Sequence, residues 1–136
     1  DVLKIAGHRL GTAELESGFV SHKAVAEAAV CGIPHDVKGE AIIAFLVLRD
    51  GQSPSEQLRK DLVQHIRTTI GPIASPDQLY FVTKLPKTRS GKIMRRLLKA
   101  LAQNEKIGDI STLEDEASVD EIKSAFAELK QTLAKP

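Results

Sequence analysis

The sequence has little cysteine and few aromatic side chains. Its 136 residues include one cysteine (Cys31), no tryptophan, four phenylalanines and one tyrosine. A single cysteine excludes an internal disulfide framework and any metal site made of several cysteines. The longest apolar run, at residues 41–48, is far shorter than the ~18 residues that indicate a membrane-spanning helix. We therefore expect a cytoplasmic globular protein that does not enter a membrane.

Charge is balanced in total but concentrated locally. The chain has 19 lysines and arginines against 18 aspartates and glutamates. Between residues 84 and 99, however, basic side chains occur without any acidic one: Lys84, Lys87, Arg89, Lys92, Arg95, Arg96 and Lys99. Such a segment suggests an anionic partner, either a phosphate group or a nucleic acid, although a solvated helix face would show the same pattern.

The first half of the chain alternates between strand-like and helix-like patterns. Residues 2–10 predict a β-hairpin that turns at Gly7, because glycine adopts positive φ without strain. Thr12 is the expected N-cap of a first helix. Strands are predicted over 25–33 and 41–48, and the continuous apolar run of the second predicts burial on both of its faces.

The second helix has the clearest local signals. Ser53 is its predicted N-cap, with Pro54 at the first helical position and Glu56 completing a capping box. The glycine and proline at 71–72 are expected to end this helix. A further strand is predicted over 77–83.

The C-terminal third is predicted to be mainly helical. A loop over 86–91 precedes a helix that begins directly after Gly91, with apolar side chains facing inward and basic ones outward: Ile93, Leu97, Leu98 and Leu101 against Arg95, Arg96 and Lys99. Residues 104–117 are acidic and are predicted to be irregular, and a capping box predicts a last helix over 118–134. These patterns predict an α+β fold: a short N-terminal β-hairpin and a small mixed sheet flanked by helices, with a helical C-terminal extension.

Lys92 is the best candidate for a ligand-binding residue. It lies where a loop is predicted to lead into a helix, and helix N-termini attract anions. A lysine at such a point is a mobile positive charge that can reach a phosphate. The segment is not a Walker phosphate-binding loop, because Pro86 stands where that motif needs glycine. From the residues alone, Lys92 is either a phosphate ligand or an ordinary surface lysine.

Two separated motifs carry a resemblance to a known family. Residues 86–92, PKTRSGK, closely resemble the C-terminal motif of the adenylate-forming acyl-CoA synthetase superfamily. Residues 1–10, DVLKIAGHRL, resemble the motif that lies beside the hinge in the same family. Further stretches, VCGIPH at 30–35 and GDISTL at 108–113, are similar to the C-terminal domains of the AMP-forming acetyl-CoA synthetases.

The resemblance implies a ligase that works in two steps. Acetate would attack ATP to give acetyl-adenylate, and coenzyme A would then take the acetyl group and release AMP. Residues 1–103 would form a mobile C-terminal lid that alternates between two poses, with 104–136 as its acidic linker and C-terminal helix. The family's N-terminal domain holds most of the ATP and acetate sites. We therefore expect that domain as a partner, and expect this fragment to be inactive alone.

The resemblance also assigns roles to individual residues. Lys92 would bridge acetate and the α-phosphate, stabilising charge that develops during adenylation. Arg9 would contact the nucleotide. Gly7 and Ala6 would line the tunnel for the pantetheine arm of coenzyme A. Arg67 would meet the 3′-phosphate of coenzyme A, with a solvated helix arginine as the alternative.

A cation site and a hinge are implied in the same way. The family places a cation on backbone carbonyls that match Val20, His22 and Val25, and Mg²⁺ is expected to accompany ATP. Backbone carbonyl ligands cannot be identified from a pattern of side chains. By itself, His22 is interpreted as a surface histidine. Asp1 is assigned to the hinge segment, beside a pivot that lies just outside this chain.

Regulation by lysine acetylation is a further implication. In the family the residue matching Lys92 is acetylated by GNAT-type acetyltransferases and restored by sirtuin-type deacetylases, and acetylation removes the charge that adenylation needs. Two alternatives stay open. One is the lid of a propionyl-CoA synthetase, since acyl selectivity resides in the N-terminal domain. The other is a nucleic-acid-binding module, which would need aromatic stacking residues, and none lies between Arg89 and Lys99.

Overall fold

The chain begins with a β-hairpin, as the sequence predicts. In the computed structural model, which describes residues 2–82, 84–87 and 90–102, β1 (Val2–Ile5) pairs antiparallel with β2 (His8–Gly11). Both turn residues have positive φ, 49° at Ala6 and 85° at Gly7. This combination gives a tight two-residue turn whose twist matches that of the two strands.

The main sheet is mixed. β3 (Val25–His35) and β4 (Gly39–Leu48) form a long antiparallel pair, and β5 (Gln78–Val82) runs parallel to β4. β1 also pairs with β4 through Ile5 and Gly39, which joins the hairpin to the same five-stranded sheet. The prediction of a hairpin plus a small mixed sheet is therefore confirmed.

The first helix, α1 (Thr12–Val20), begins one residue earlier than its predicted cap allows. Gly11 is the N-cap, with an extended backbone and no side chain to bond the first turn. Thr12 is already helical and is buried. The predicted Thr12 cap is therefore wrong, because the end of β2 leads into the helix without a break.

The second helix, α2 (Glu56–Thr69), has its cap at Ser55 and not at Ser53. The Ser55 hydroxyl accepts the Leu58 N–H at 3.0 Å, which satisfies one of the free amides of the first turn. Two serines two residues apart offered alternative caps, and the helix uses the later one. A short 3-10 helix at Pro72–Ala74 follows α2, consistent with the predicted stop.

The third helix, α3 (Arg95–Ala102), starts later than the sequence predicts. The residues after Gly91 continue as a loop, because Lys87 and Ile93 form an isolated antiparallel bridge. A helix that began directly after Gly91 would break this pairing. The prediction of its start is wrong because a tertiary contact overrides a local helical pattern.

The sheet separates two hydrophobic clusters. Successive side chains of β4 point to opposite sides, with Ile42 and Ala44 on one and Ile43 and Phe45 on the other. One cluster contains the inward side chains of α1 and α2, and the other contains those of α3. We call these two sides of the sheet the α1–α2 face and the α3 face. The prediction that this strand is buried on both faces is confirmed.

Some predictions lie outside the described residues. They concern the hinge position at Asp1, the basic residue Arg89, the irregular segment 104–117 and the helix over 118–134. Within the part of the chain that the structure describes, no helix has the length and apolar character needed to cross a membrane.

Candidate functional site

Lys92 lies on an exposed loop whose two ends are paired with each other. The bridge between Lys87 and Ile93 joins the two ends, and the Met94 N–H donates to the Pro86 carbonyl oxygen at 2.9 Å. Met94 is buried in the α3 face, at 3% exposure. Lys92 is exposed. We call residues 86–94 the Lys92 loop. Its two ends are held in place by these contacts, and it carries the charge of Lys92 to the surface.

Two ion pairs connect the ends of the Lys92 loop to the rest of the domain. Before the loop, Lys87 Nζ lies 2.5 Å from Glu27 Oε1. After it, Arg95 Nη2 donates to Glu16 Oε1 at 2.5 Å and Arg95 Nε donates to Glu16 Oε2 at 3.1 Å. Arg95, which the sequence predicts to face outward, keeps a 32% exposed side chain but is bound by this carboxylate. Arg96 is exposed as predicted.

The late start of α3 changes the electrostatic argument for Lys92. The helix begins at Arg95, so Lys92 precedes it by three residues and does not stand in its first turn. The helix dipole acts mainly within the terminal turn. The attraction of Lys92 for an anion therefore rests on the charge of its own ammonium group and not on the helix dipole.

The hairpin turn is a second exposed element. Ala6 and Gly7 are both exposed, and the Ala6 N–H donates to the Lys38 carbonyl oxygen at 2.8 Å. A Cβ added at Gly7 would meet no atom within 4 Å, so the space above the turn is open. The φ of Gly7 suits only glycine well, whereas Ala6 holds its positive φ at a cost in backbone strain.

The two predicted arginines lie on separate elements. Arg9 is exposed on β2, opposite Lys4 in the hairpin register. Arg67 is exposed in the last turn of α2, and its Nη1 donates to Ser75 Oγ at 3.0 Å. A guanidinium group has further N–H donors, so this single bond leaves Arg67 able to bind a phosphate.

The predicted carbonyl ligands lie on the connection between α1 and β3. Val20 ends α1, Val25 begins β3, and the Val25 N–H donates to the His22 carbonyl oxygen at 3.1 Å. A carbonyl oxygen keeps a second lone pair, and such oxygens suit hard cations. In the described ranges no group of three or more histidine, cysteine, aspartate or glutamate side chains could hold a metal ion. A cation at this connection would therefore rely on backbone oxygens.

The His22 ring packs towards α2. Its Nδ1 accepts the Ala24 N–H at 3.0 Å, and its ring meets that of His65 edge-on, with the centroids 5.1 Å apart. Burial lowers the pKa of His22 below its ordinary value of 6.5, and the neighbouring His65 lowers it further. The ring is half-buried and lies against His65 of α2.

The candidate residues divide between the two faces of the sheet. The hairpin that carries Ala6 and Gly7 contributes Leu3 and Ile5 to the α1–α2 face. The Lys92 loop is buried at its ends in the α3 face. The structure therefore does not gather these residues into one pocket but presents them on two separate parts of the domain.

Sequence reasoning missed the acidic residue that binds Arg95. Glu16 falls on the inward stripe of α1, with the helical spacing of Thr12, Leu15 and Phe19. An acid within an apolar stripe indicates a partner in the interior, because an unpaired buried charge is costly. No local pattern identifies that partner, since Arg95 lies 79 residues away.

Comparisons with known proteins indicate the same family as the sequence motifs. Residues 14–92 match the family described as the AMP-binding enzyme C-terminal domain. The acetyl-coenzyme A synthetase of Pyrobaculum arsenaticum is 65% identical over 136 residues, which are 100% of this chain and 20% of that protein. The 3-hydroxypropionyl-coenzyme A synthetase of Metallosphaera sedula is 56% identical over 133 residues, 98% of this chain and 20% of that protein. The chain thus spans about one fifth of the length of these relatives.

Solved structures support the same assignment. A crystal structure of a Brucella canis acyl-CoA synthetase matches this chain with a TM-score of 0.73 and 38% sequence identity, covering 76% of this chain and 19% of that one. The family match runs from α1 to Lys92 and includes more than half of the chain. The chain therefore belongs to the AMP-binding enzyme C-terminal domain family.

Proposed function

We propose that this chain is the mobile C-terminal lid of an acetate–CoA ligase. Acetate attacks the α-phosphorus of ATP to give acetyl-adenylate and pyrophosphate, and the thiol of coenzyme A then attacks the acetyl carbonyl and releases AMP. One observation carries the proposal: Lys92 is exposed on a loop with paired ends, in a chain 65% identical to an acetyl-coenzyme A synthetase. An N-terminal domain of the same protein supplies most of the ATP and acetate sites.

Lys92 acts in the first step by electrostatics. The transition state of phosphoryl transfer spreads negative charge over the phosphate oxygens. An ammonium group placed between the carboxylate of acetate and the α-phosphate stabilises that charge without transferring a proton. The paired ends of the Lys92 loop support this role, because ends that are already held together lose little entropy when the lysine meets the substrates.

The division of residues between two faces supports domain alternation. One pose would direct the Lys92 loop on the α3 face towards ATP and acetate. The other would direct the hairpin turn at Ala6 and Gly7 towards coenzyme A. A rigid lid that rotates between two such poses uses a different surface for each half-reaction.

The remaining site residues belong to the same proposal. Arg9 contacts the nucleotide phosphate or ribose, and Arg67 contacts the 3′-phosphate of coenzyme A. Mg²⁺ accompanies ATP as its counter-ion. The carbonyl oxygens of Val20, His22 and Val25 would hold a structural cation, a role supported by their position on one connection and by the preference of hard cations for oxygen.

Acetylation of Lys92 is the proposed means of regulation. A GNAT-type acetyltransferase would remove its charge and a sirtuin-type deacetylase would restore it. The exposure of Lys92 supports access by such enzymes, and the exposed Arg96 nearby offers a positive charge for an acidic partner surface. A cytoplasmic location stays a prediction.

Two alternatives are less well supported. A lid from a propionyl-CoA synthetase would look similar, since a 3-hydroxypropionyl-coenzyme A synthetase is also 56% identical. Acyl selectivity therefore has to be tested on the full-length enzyme. A nucleic-acid-binding role loses support because Lys87 and Arg95 are paired with carboxylates, which lowers the positive charge available to phosphates.

The test compares the two half-reactions in the full-length enzyme. Lys92→Ala is expected to lower ATP–pyrophosphate exchange by at least about a thousandfold, because it removes a charge that acts in the transition state. Thioester formation from supplied acetyl-adenylate should continue at the unsubstituted rate. Lys99→Ala, at an exposed lysine of α3, is the matched control and should change neither rate. Equal loss of both half-reactions in Lys92→Ala would instead assign a structural role to this lysine.

A further inference from the structure

Glu16 is a largely buried acid that bonds to two different parts of the domain. Its side chain is only 12% exposed. Oε2 accepts the backbone N–H of Val30 on β3 at 2.9 Å, and both carboxylate oxygens accept N–H groups of Arg95. The bond to Val30 fixes the carboxylate against the sheet. Glu16 is therefore a rigid acceptor and not a mobile surface acid.

Arg95 transmits this fixed position to the Lys92 loop. It is the first residue of α3, and it directly follows Met94, whose N–H bonds to Pro86 at the other end of the loop. Two N–H···O bonds to one carboxylate fix the orientation of a guanidinium group as well as its distance. The carboxylate on α1 thus determines where the C-terminal end of the Lys92 loop lies.

The ion pair at the other end of the loop is more exposed. The side chains of Lys87 and Glu27 are 41% and 39% exposed, against 32% and 12% for Arg95 and Glu16. Exposed pairs contribute little because water and salt screen them. The pair of Glu16 and Arg95 is therefore the stronger of these two ion pairs.

We propose that Glu16 and Arg95 are positioning residues for the adenylation step. The inference rests on the proposed role of Lys92: neither residue touches substrate, and both act by holding the loop so that the Lys92 ammonium group reaches the α-phosphate. A displacement of about 1 Å in a group of this kind can lower a rate by about a hundredfold. Thioester formation does not use the Lys92 ammonium group, so that step does not depend on the pair.

The experiment measures both half-reactions in full-length enzyme carrying Arg95→Lys or Glu16→Gln. Lysine keeps the charge of Arg95 but cannot form two parallel bonds, and glutamine keeps the shape of Glu16 without its charge. We expect kcat for ATP–pyrophosphate exchange to fall about tenfold or more with little change in the KM for ATP, and thioester formation to be unchanged. Arg96→Lys and Glu14→Gln, at exposed positions on the same two helices, are matched controls that should change neither rate.

A second measurement follows the loop itself. The Met94 amide donates to Pro86, so hydrogen exchange of the peptide that contains it should accelerate in Arg95→Lys but not in Arg96→Lys, at unchanged Tm. Unchanged exchange kinetics together with a full adenylation rate would overturn the inference. Equal losses in both half-reactions with a lowered Tm would also overturn it, since this is the result of a purely structural role.

The series includes Lys92→Ala to separate the two hypotheses. If Lys92→Ala abolishes adenylation while Arg95→Lys and Glu16→Gln retain the full rate, only the positioning inference fails. If Lys92→Ala itself retains ATP–pyrophosphate exchange, the proposed function of the loop fails instead.

Discussion

The two faces of the central sheet are held together in different ways. The α1–α2 face is an extended apolar cluster to which all five strands and two helices contribute. The α3 face is a smaller cluster, built from β3, β4, β5, α3 and the ends of the Lys92 loop. Ion pairs of Lys87 and Arg95 lie at the ends of that loop. We therefore expect the α1–α2 face to contribute more to the stability of the domain, and the α3 face also to hold the ends of the Lys92 loop in place.

The contact between α1 and α2 shows how tightly the α1–α2 face is packed. A Cβ added at Gly18 of α1 would lie 2.7 Å from Ile66 Cδ1 and 2.8 Å from Ile70 Cδ1. The two helices approach each other at a distance that only glycine permits without rearrangement. Dense packing of this kind leaves the α1–α2 face little room for motion. The α3 face, by contrast, includes the ends of the exposed Lys92 loop.

The largest effect is expected from opening the α1–α2 face. Phe19 is fully buried there, at 0% exposure. Phe19→Ala removes its contacts and leaves a cavity, which should lower the free energy of unfolding by about 4 kcal/mol. Urea unfolding followed by circular dichroism measures the change. Val20→Ala, at the exposed neighbouring residue, should change the free energy of unfolding by less than about 0.5 kcal/mol. A similar loss in both variants would contradict the importance assigned to this face.

A smaller and more local effect is expected on the α3 face. Leu98 of α3 is also fully buried, and Leu98→Ala should lower the free energy of unfolding by about 3 kcal/mol. Cys31, the single cysteine of the chain, lies in the same cluster, and burial raises the pKa of its thiol to about 12. The thiol is therefore an unreactive reporter until α3 moves away from the sheet.

Thiol labelling distinguishes local from global opening. In Leu98→Ala, Cys31 should react with a disulfide reagent faster than global unfolding allows, because α3 separates while the α1–α2 face stays folded. In Phe19→Ala the reaction should follow global unfolding only. Lys99→Ala, at the exposed residue next to Leu98, should label as slowly as the unsubstituted chain. If labelling in Leu98→Ala tracked global unfolding, the two faces would form one cooperative unit.

The sequence predicted the elements of the fold better than their ends. β4 could be identified because its run of eight apolar residues is long enough for a strand covered on both sides. The cap at Ser55 could not be chosen over Ser53, because both serines precede the helical pattern and no local signal separates them. The start of α3 was missed for a similar reason, since the bridge of Lys87 to Ile93 depends on the folded loop.

The candidate site was predictable only where residues are close in sequence. Lys92 could be identified because loop, glycine and lysine are adjacent. The pairing of Glu16 with Arg95 could not, because the two residues are brought together by the packing of α3 and α1 on β3. The parallel pairing of β4 with β5 is hidden for the same reason, since α2 separates the two strands in the chain.

The smallest effect is a pH dependence confined to the α1–α2 face. The pKa of His22 lies below 6.5 in the folded chain because of burial and His65, so the unfolded chain binds a proton more readily. The contribution of His22 to stability is therefore complete above about pH 6.5 and declines as the pH falls below that value. Thermal unfolding from pH 7.5 to 5 should show this shallow decline, and His22→Asn should reduce it, since asparagine can accept the Ala24 N–H without titrating. His8→Asn, at an exposed position of β2, should retain the decline. An unchanged slope in His22→Asn would assign the acid sensitivity to other groups.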